Sequence, residues 1–399
     1  MSISTQSRLR SGGGKRAISL RRRILFLSIV FFALAAVLEL GTRGYNRLRT
    51  GRWTIGDPER AAVNAGLYTS NIWTGQIPRP GAIVEFPGRS IHINSMGFRG
   101  YEFAPHKSAG TVRIACLGGS TTFDVKVSDD ARTWPAQMEA VLRARHGIRN
   151  IEVINAATCG YSLQRSLIDL TTRVLDVRPD WIICYAGVND LAAAHRPDHQ
   201  VGQSQFATIT PLEIPWYRRL MGTSEFCNEV VSRLRYARQL KYGNWEGRPI
   251  ERSDEPDPKG IAAFGRNLKT LVGICRAHDI RLALVTVRTA YAPMQPMDVQ
   301  LELARMDLMD HSNLSLQGHY RGYAMINQVI REVGRAYQVP VIDQATALPA
   351  GDMHFADSVH FNDAGAAALA MLAADELAPH LKPATLPGEP IVVSPTIAE

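Results

Sequence analysis

The chain has 399 residues, 45% of them hydrophobic and 21% charged, so it can bury a large core. Its formal net charge of +8 is unevenly placed: residues 1–52 hold 11 Lys/Arg and one acidic residue, while the remainder holds 34 basic and 36 acidic residues. The positive balance therefore belongs to an N-terminal segment, and it gives no reason to place a nucleic-acid site on the folded domain.

That basic segment, 1–23, leads into an uninterrupted apolar stretch from Ile24 to Leu38, preceded by Arg21, Arg22 and Arg23. With Glu39, Leu40 and Gly41 at the interface and the arginines snorkelling, the stretch approaches the roughly 17 to 20 residues that a bilayer span requires. A single membrane helix over 24–40 is expected. No polar face interrupts the run, which argues against a core helix of a soluble domain. A cleavable signal peptide is the rival reading, with Ala33-Leu34-Ala35 as a small-x-small site, but the long basic leader and the lack of a polar break favour an uncleaved anchor. Seven basic residues precede the helix and Arg43, Arg47, Arg49 and Arg52 follow it. This bias places the N-terminus in the cytoplasm and the remaining chain outside a bacterial inner membrane, in the periplasm.

Residues 41–110 form a juxtamembrane lead-in that contains Asn94-Ser95-Met96-Gly97-Phe98-Arg99-Gly100. Its glycines suggest turns and Phe98 a packing anchor. From 111 the pattern becomes regular. Apolar runs predict strands at 111–118, 151–157, 181–186, 281–287 and 339–343, and helical spacing predicts helices at 133–146, 163–177, 260–278, 318–337 and 363–381. Strands that are apolar throughout and alternate with helices imply a parallel sheet covered on both faces, an α/β domain over 111–382. Asn362 and Asp363 supply a cap for the last helix. Two stretches stand outside this plan. An insertion at 191–258 holds His195, His199, Trp216, Tyr217, Arg218, Arg219, Arg233 and Arg235 and reads as a lid, with simple packing as the alternative. Residues 383–399 read as a flexible tail.

The five cysteines, Cys116, Cys159, Cys184, Cys227 and Cys275, form no CxxC pair and require no disulfide framework, so they read as small buried hydrophobes. Cys159 adjoins a candidate site residue, yet a structural role is favoured for it as well.

Three motifs follow predicted strands, where open α/β sheets place their ligands. The first strand runs into Gly118-Gly119-Ser120, whose glycines permit a sharp turn beside a helix start. The second runs into Asn155-Ala156-Ala157-Thr158-Cys159-Gly160, and the third into Tyr185-Ala186-Gly187-Val188-Asn189-Asp190. Near the C-terminus stands Asp357-Ser358-Val359-His360. An Asp three residues before a His can orient the imidazole, leaving the other ring nitrogen for a serine. Read singly, Asn189 is a turn-forming residue. His354 lacks an acidic residue three positions upstream, since 351 is Gly, and reads as a loop histidine.

This ordered set resembles the SGNH, or GDSL-type, hydrolase family over roughly residues 111–380, with Ser120, Gly160, Asn189 and His360 in its four naming positions and Asp357 beside the histidine. Gly119 stands where many members carry Asp. The resemblance implies a flavodoxin-like three-layer α/β/α fold with a five-stranded parallel sheet in the order 2-1-3-4-5. It implies a serine esterase with Ser120 as nucleophile, His360 as base and Asp357 as its support, and an oxyanion hole built from the Ser120 and Gly160 N–H groups and the Asn189 amide. No cofactor and no metal belong to that chemistry. The substrate expected is a carboxylic ester, an O-acetyl group on a cell-envelope glycan or an acylated lipid. An O-acyltransferase using the same acyl-enzyme, and a non-catalytic glycan-binding or assembly protein, are the alternatives. The intact Ser120, Asp357 and His360 argue against the last, whereas water and sugar as acceptors share the first half-reaction. Oligomeric state is not encoded in these motifs.

Overall fold

The computed structural model describes residues 19–50, 66–86, 88–194, 224–242, 249–310 and 313–381, and the chain divides into two compact units. The first contains helix α1, Leu20–Thr50. Its segment Leu20–Tyr45 is long and apolar enough to cross a membrane. The helix continues past the expected end at residue 40 because the following stretch contains no proline, and Glu39 pairs with Arg43 one turn on at 2.7 Å. In the same unit, the other Glu39 oxygen accepts from Ser224 Oγ at 2.7 Å and from the Phe226 N–H at 3.2 Å, at the start of the helix Glu225–Tyr242. The basic leader up to residue 18, the tail 383–399 and the part of the insertion carrying His195, His199, Trp216, Tyr217, Arg218 and Arg219 lie outside the described residues.

The second unit opens with two hairpins that the sequence pattern did not suggest. Strands β1 (Tyr68–Asn71) and β2 (Gly75–Pro78) pair antiparallel, as do β3 (Ile83–Phe86) and β4 (Arg89–His92). Four-residue strands are too short for alternation to stand out from noise. Their inward side chains Leu67, Tyr68, Ala82, Val84, Ile91 and Ile93 close a small core around Phe123 and Ala157. The lead-in from 66 onward is therefore packed structure that encloses a residue three positions after Ser120. Gly97 and Gly100 both lie in the left-handed region, at φ 82° and 108°, and Phe98 is buried with the Arg173 guanidinium 4.3 Å from its ring centre.

The main sheet is built from β5 (Val112–Gly118), β6 (Ile151–Asn155), β7 (Trp181–Tyr185), β8 (Arg281–Val285) and β9 (Val341–Ile342), in the order β6-β5-β7-β8-β9 and parallel throughout. This is the 2-1-3-4-5 order expected. All five β7 residues are buried, as a central parallel strand covered on both faces requires. Helix α2 (Ser120–Phe123) follows β5 and α3 (Trp134–Ala144) precedes β6. Next come α4 (Leu163–Thr172), α5 (Val188–Ala194), α6 (Pro258–Ala277), α7 (Leu316–Tyr337) and α8 (Asp363–Leu381). Helices α3 and α8 pack together, while α6 packs with α4, α5 and α7. Local chemistry sets the helix ends. Asp257 and Ser315 accept N–H groups of the first turns of α6 and α7, and Asn362 accepts the Gly365 N–H at 3.0 Å to cap α8. Helix α4 stops at Thr172, five residues before its expected limit at 177, because Arg173 leaves the helical conformation at φ −143°, its side chain bonded to Asp169, the Gly97 carbonyl and the Ala156 carbonyl; a single 3-10 turn, Val174–Val177, fills the rest of the expected span.

Register brings the motifs together. Cys116 lies opposite Asn155 and Gly118 opposite Tyr185, so the loops after β5, β6 and β7 leave the sheet at one level, on its carboxyl edge.

Candidate active site

Ser120 begins a single turn of helix directly after β5, and that placement depends on two residues without side chains. A Cβ on Gly118 would meet the Tyr185 carbonyl oxygen at 2.3 Å, and one on Gly119 would stand 2.5 Å from Asn189 Nδ2. Strand β7 and the Asn189 amide can approach the serine turn this closely only because both positions are glycine. An Asp at 119, common in the family resembled, would collide with Asn189 as it is placed here.

His360 Nε2 is 2.7 Å from Ser120 Oγ, and His360 Nδ1 is 2.8 and 2.9 Å from the two oxygens of Asp357. Asp357 Oδ1 also accepts the N–H groups of Val359 and His360, at 3.2 and 3.0 Å, which folds the four-residue segment back on itself. Burial opposes ionisation of Asp357, but the imidazole hydrogen bonds, the charge of His360 and the two N–H groups together bring its carboxyl down to about 2. Lys126 Nζ lies 4.0 Å from its other oxygen. A carboxylate kept ionised against Nδ1 fixes the tautomer whose Nε2 accepts a proton from serine.

Ser358, between the two charged residues, is fully buried and pins this loop from behind. Its hydroxyl donates to the Leu303 carbonyl at 2.7 Å and accepts the Asp307 N–H at 3.1 Å, while its carbonyl accepts the Ala290 N–H at 2.9 Å. The short helices Met297–Leu303 and Arg305–Asp310 that supply the two partners of the hydroxyl fall between the elements expected from sequence.

On the opposite side, Gly160 takes the left-handed conformation, φ 80°, in a turn closed by the Tyr161 N–H on the Thr158 carbonyl at 3.1 Å. The Thr158 N–H in turn donates to the Gly118 carbonyl at 3.2 Å, docking the turn against the serine loop. Asn189 Nδ2 donates to the Tyr161 carbonyl at 2.9 Å. Asp190, the next residue, accepts the Leu163 N–H at the start of α4 with both oxygens, at 3.0 and 3.1 Å. Burial pushes its carboxyl up to about 7, against the lowering by the N–H groups of Leu163, Gly187 and Asp190 itself.

All five candidate residues are thus accounted for: Ser120, His360 and Asp357 form one hydrogen-bonded chain, Asn189 flanks it through Gly119, and Gly160 sits in the turn docked on Gly118. His354 is not in this hydrogen-bonded chain; it lies in the turn ahead of the Asp357–His360 segment, its carbonyl accepting the N–H of Asn362, the residue before α8, at 3.1 Å. Cys159 is unpaired with its thiol pushed up to about 11 by burial, a group unsuited to nucleophilic work. Among the described residues no group of three His, Cys, Asp or Glu side chains could hold a metal ion.

The sequence model of the GDSL-like lipase/acylhydrolase family matches residues 116–368. The chain belongs to this family. It is a serine ester hydrolase by that membership, and the matched span runs from the end of β5 through the Asp357–His360 segment. Among solved structures, the GDSL hydrolase chain is similar to the lipase/acylhydrolase from Enterococcus faecalis, with 18% identity, TM-score 0.40, and coverage of 68% of this chain and 98% of that one. It is similar to a GDSL-like lipase from Bacteroides thetaiotaomicron, with 11% identity, TM-score 0.36, and coverage of 67% and 87%. A mutant of an acetyl-xylooligosaccharide esterase from Geobacillus gives 13% identity, TM-score 0.40, and coverage of 68% and 96%. Comparison with curated proteins finds no match.

Proposed function

We propose that this GDSL hydrolase is a membrane-anchored esterase that works through an acyl-enzyme on Ser120. The observation that carries the reading is the unbroken chain from Ser120 Oγ through both nitrogens of His360 to Asp357. In the first half-reaction Ser120 Oγ bonds to the ester carbonyl carbon as its proton passes to His360 Nε2. The carbonyl electron pair moves onto oxygen, facing the Ser120 and Gly160 N–H groups and Asn189 Nδ2. Substrate binding would redirect that amide from the Tyr161 carbonyl. The carbon–oxygen bond to the alcohol then breaks, and the alcohol leaves with the proton held by His360. Water repeats the sequence on the acyl-enzyme, giving the carboxylic acid and restoring the serine.

The anchor is α1, whose basic leader carries seven Lys/Arg before the apolar stretch. That bias supports an outward-facing catalytic unit at a bacterial inner membrane. In that setting the substrates in reach are acyl groups of envelope components, and O-acetyl groups on a glycan are the reading we favour. The test uses the full-length protein in detergent with p-nitrophenyl acetate, p-nitrophenyl palmitate and an acetylated xylooligosaccharide. Acetate release from the first and third, with weak turnover of the second, supports the reading. Preference for the palmitate ester contradicts the acetyl assignment, and acetyl transfer to an added glycan in place of acetate release contradicts hydrolysis.

A further inference from the structure

Helix α2 is one turn long, and Asp124, which ends it, is left-handed at φ 61°. A turn this short cannot satisfy its own last carbonyls through continued helix. Two side chains from outside supply donors, beside the Val127 N–H that reaches the Asp124 carbonyl at 3.3 Å. Asn155 Nδ2, at the end of β6, donates to the Thr122 carbonyl at 3.0 Å. Arg99 Nη1, from the lead-in, donates to the Phe123 carbonyl at 2.5 Å and the Asp124 carbonyl at 2.8 Å. The Arg99 side chain is wholly buried, its Nε bonds Asp130 Oδ1 at 2.8 Å, and its guanidinium carbon lies 4.9 Å from the centre of the Phe123 ring. Its backbone is held as well, bridging to Ile93 on one side and Asn155 on the other.

We infer that Arg99 is a positioning residue for the ester chemistry, setting the turn that carries Ser120. Resting on the proposed nucleophile, it acts through the Phe123 and Asp124 carbonyls, three and four residues after the serine, and touches no reacting atom. A planar fork with several fixed donors can hold two carbonyls, one carboxylate and a ring face at once, which a lysine ammonium cannot. Asp130 balances the charge of Arg99 and has its own second partner in His92 Nδ1 at 2.6 Å. The pair therefore separates two roles: Asp130 neutralises, Arg99 positions.

The experiment compares Arg99→Lys, Arg99→Met and Asp130→Asn in the full chain. It reads kcat and KM on p-nitrophenyl acetate, the rate of covalent labelling by a fluorophosphonate, and Tm. Because a displacement of the nucleophile of about 1 Å costs about 100-fold in rate, Arg99→Lys should lower kcat and the labelling rate together by about 100-fold, with KM changed by less than about threefold. Arg99→Met should fall at least as far, while Asp130→Asn should lose Tm yet keep kcat per labelled serine within about threefold of wild type. Wild-type kcat in Arg99→Lys, or an equal loss in Asp130→Asn, overturns the inference and leaves a purely structural ion pair. Ser120→Ala is the control: turnover retained there sinks the nucleophile itself, whereas an inactive Ser120→Ala beside an active Arg99→Lys sinks only the role of Arg99.

Discussion

The two walls of the site each hold an aspartate, and the two behave in opposite ways. Asp357, on the histidine wall, sits against an imidazole and two N–H groups and is brought down to about 2. Asp190, on the asparagine wall, receives only backbone N–H groups, and burial pushes it up to about 7. Desolvation opposes ionisation of both carboxyls and acts more fully on Asp190; at Asp357 a partner that can carry positive charge outweighs it, and at Asp190 neutral N–H dipoles do not. In the proposed mechanism one wall holds charge during turnover. The other is built to hold position, joining the start of α4 to the first turn of α5, which presents Asn189.

The sharpest way to break this contrast is to remove the charge-handling wall piece by piece. Ser120→Ala and His360→Ala should each lower kcat on an aryl ester by about 10⁴-fold or more, as members of one catalytic unit, whereas His354→Ala should stay within about threefold. A reversed order of the two histidines would move the base to a residue in the turn ahead of Asp357. Next in size is Asp357→Asn, which keeps the shape but not the charge. A loss of about 10³- to 10⁴-fold in kcat is expected, and a loss below about tenfold would mean that the imidazole needs no ionised partner.

On the other wall, Asn189→Ala removes one donor and should cost about 100- to 1,000-fold in kcat with substrate binding retained. An unchanged kcat would leave Asn189 as a residue that merely closes a turn onto the Tyr161 carbonyl.

The smallest effect concerns stability. The folded value of Asp190, about 7, stands above the ordinary 3.8. Its contribution is therefore complete below about pH 4 and is lost as pH rises through about 7. Asp357 runs the other way: its contribution is present above 3.8 and is lost as pH falls toward 2. Thermal melts from pH 4 to 8 should show a fall in stability between about pH 4 and 7 in wild type that is reduced in Asp190→Asn. An identical pH profile in the variant would show that folding does not raise the Asp190 carboxyl.

Much of this architecture was legible because the motif residues follow strands whose apolar runs are unambiguous. Val112–Leu117, Ile151–Ile154 and Trp181–Cys184 locate the sheet, and the glycines and asparagine after them can be read as a turn or a donor. The Asp357-x-x-His360 spacing is local, so its hydrogen bond could be foreseen from sequence. What escaped depends on distant contacts. The strands at 68–92 are stable only because they close a core over Phe123 and Ala157. The partners of the Ser358 hydroxyl come from a segment some 50 residues earlier whose two short helices have no strong period of their own. Arg99 stands in the segment 94–100, whose glycines and Phe98 could be read as turns and an anchor, but nothing in that segment says that its guanidinium reaches the carbonyls of residues 123 and 124.

The most direct measurement is the site of covalent capture. Full-length protein treated with a fluorophosphonate and mapped by peptide mass spectrometry should carry one adduct, on Ser120, and the adduct should disappear in His360→Ala over the same incubation. An adduct on another residue, or equal labelling of Ser120 without His360, would contradict the proposal that these two residues form the nucleophile and its base.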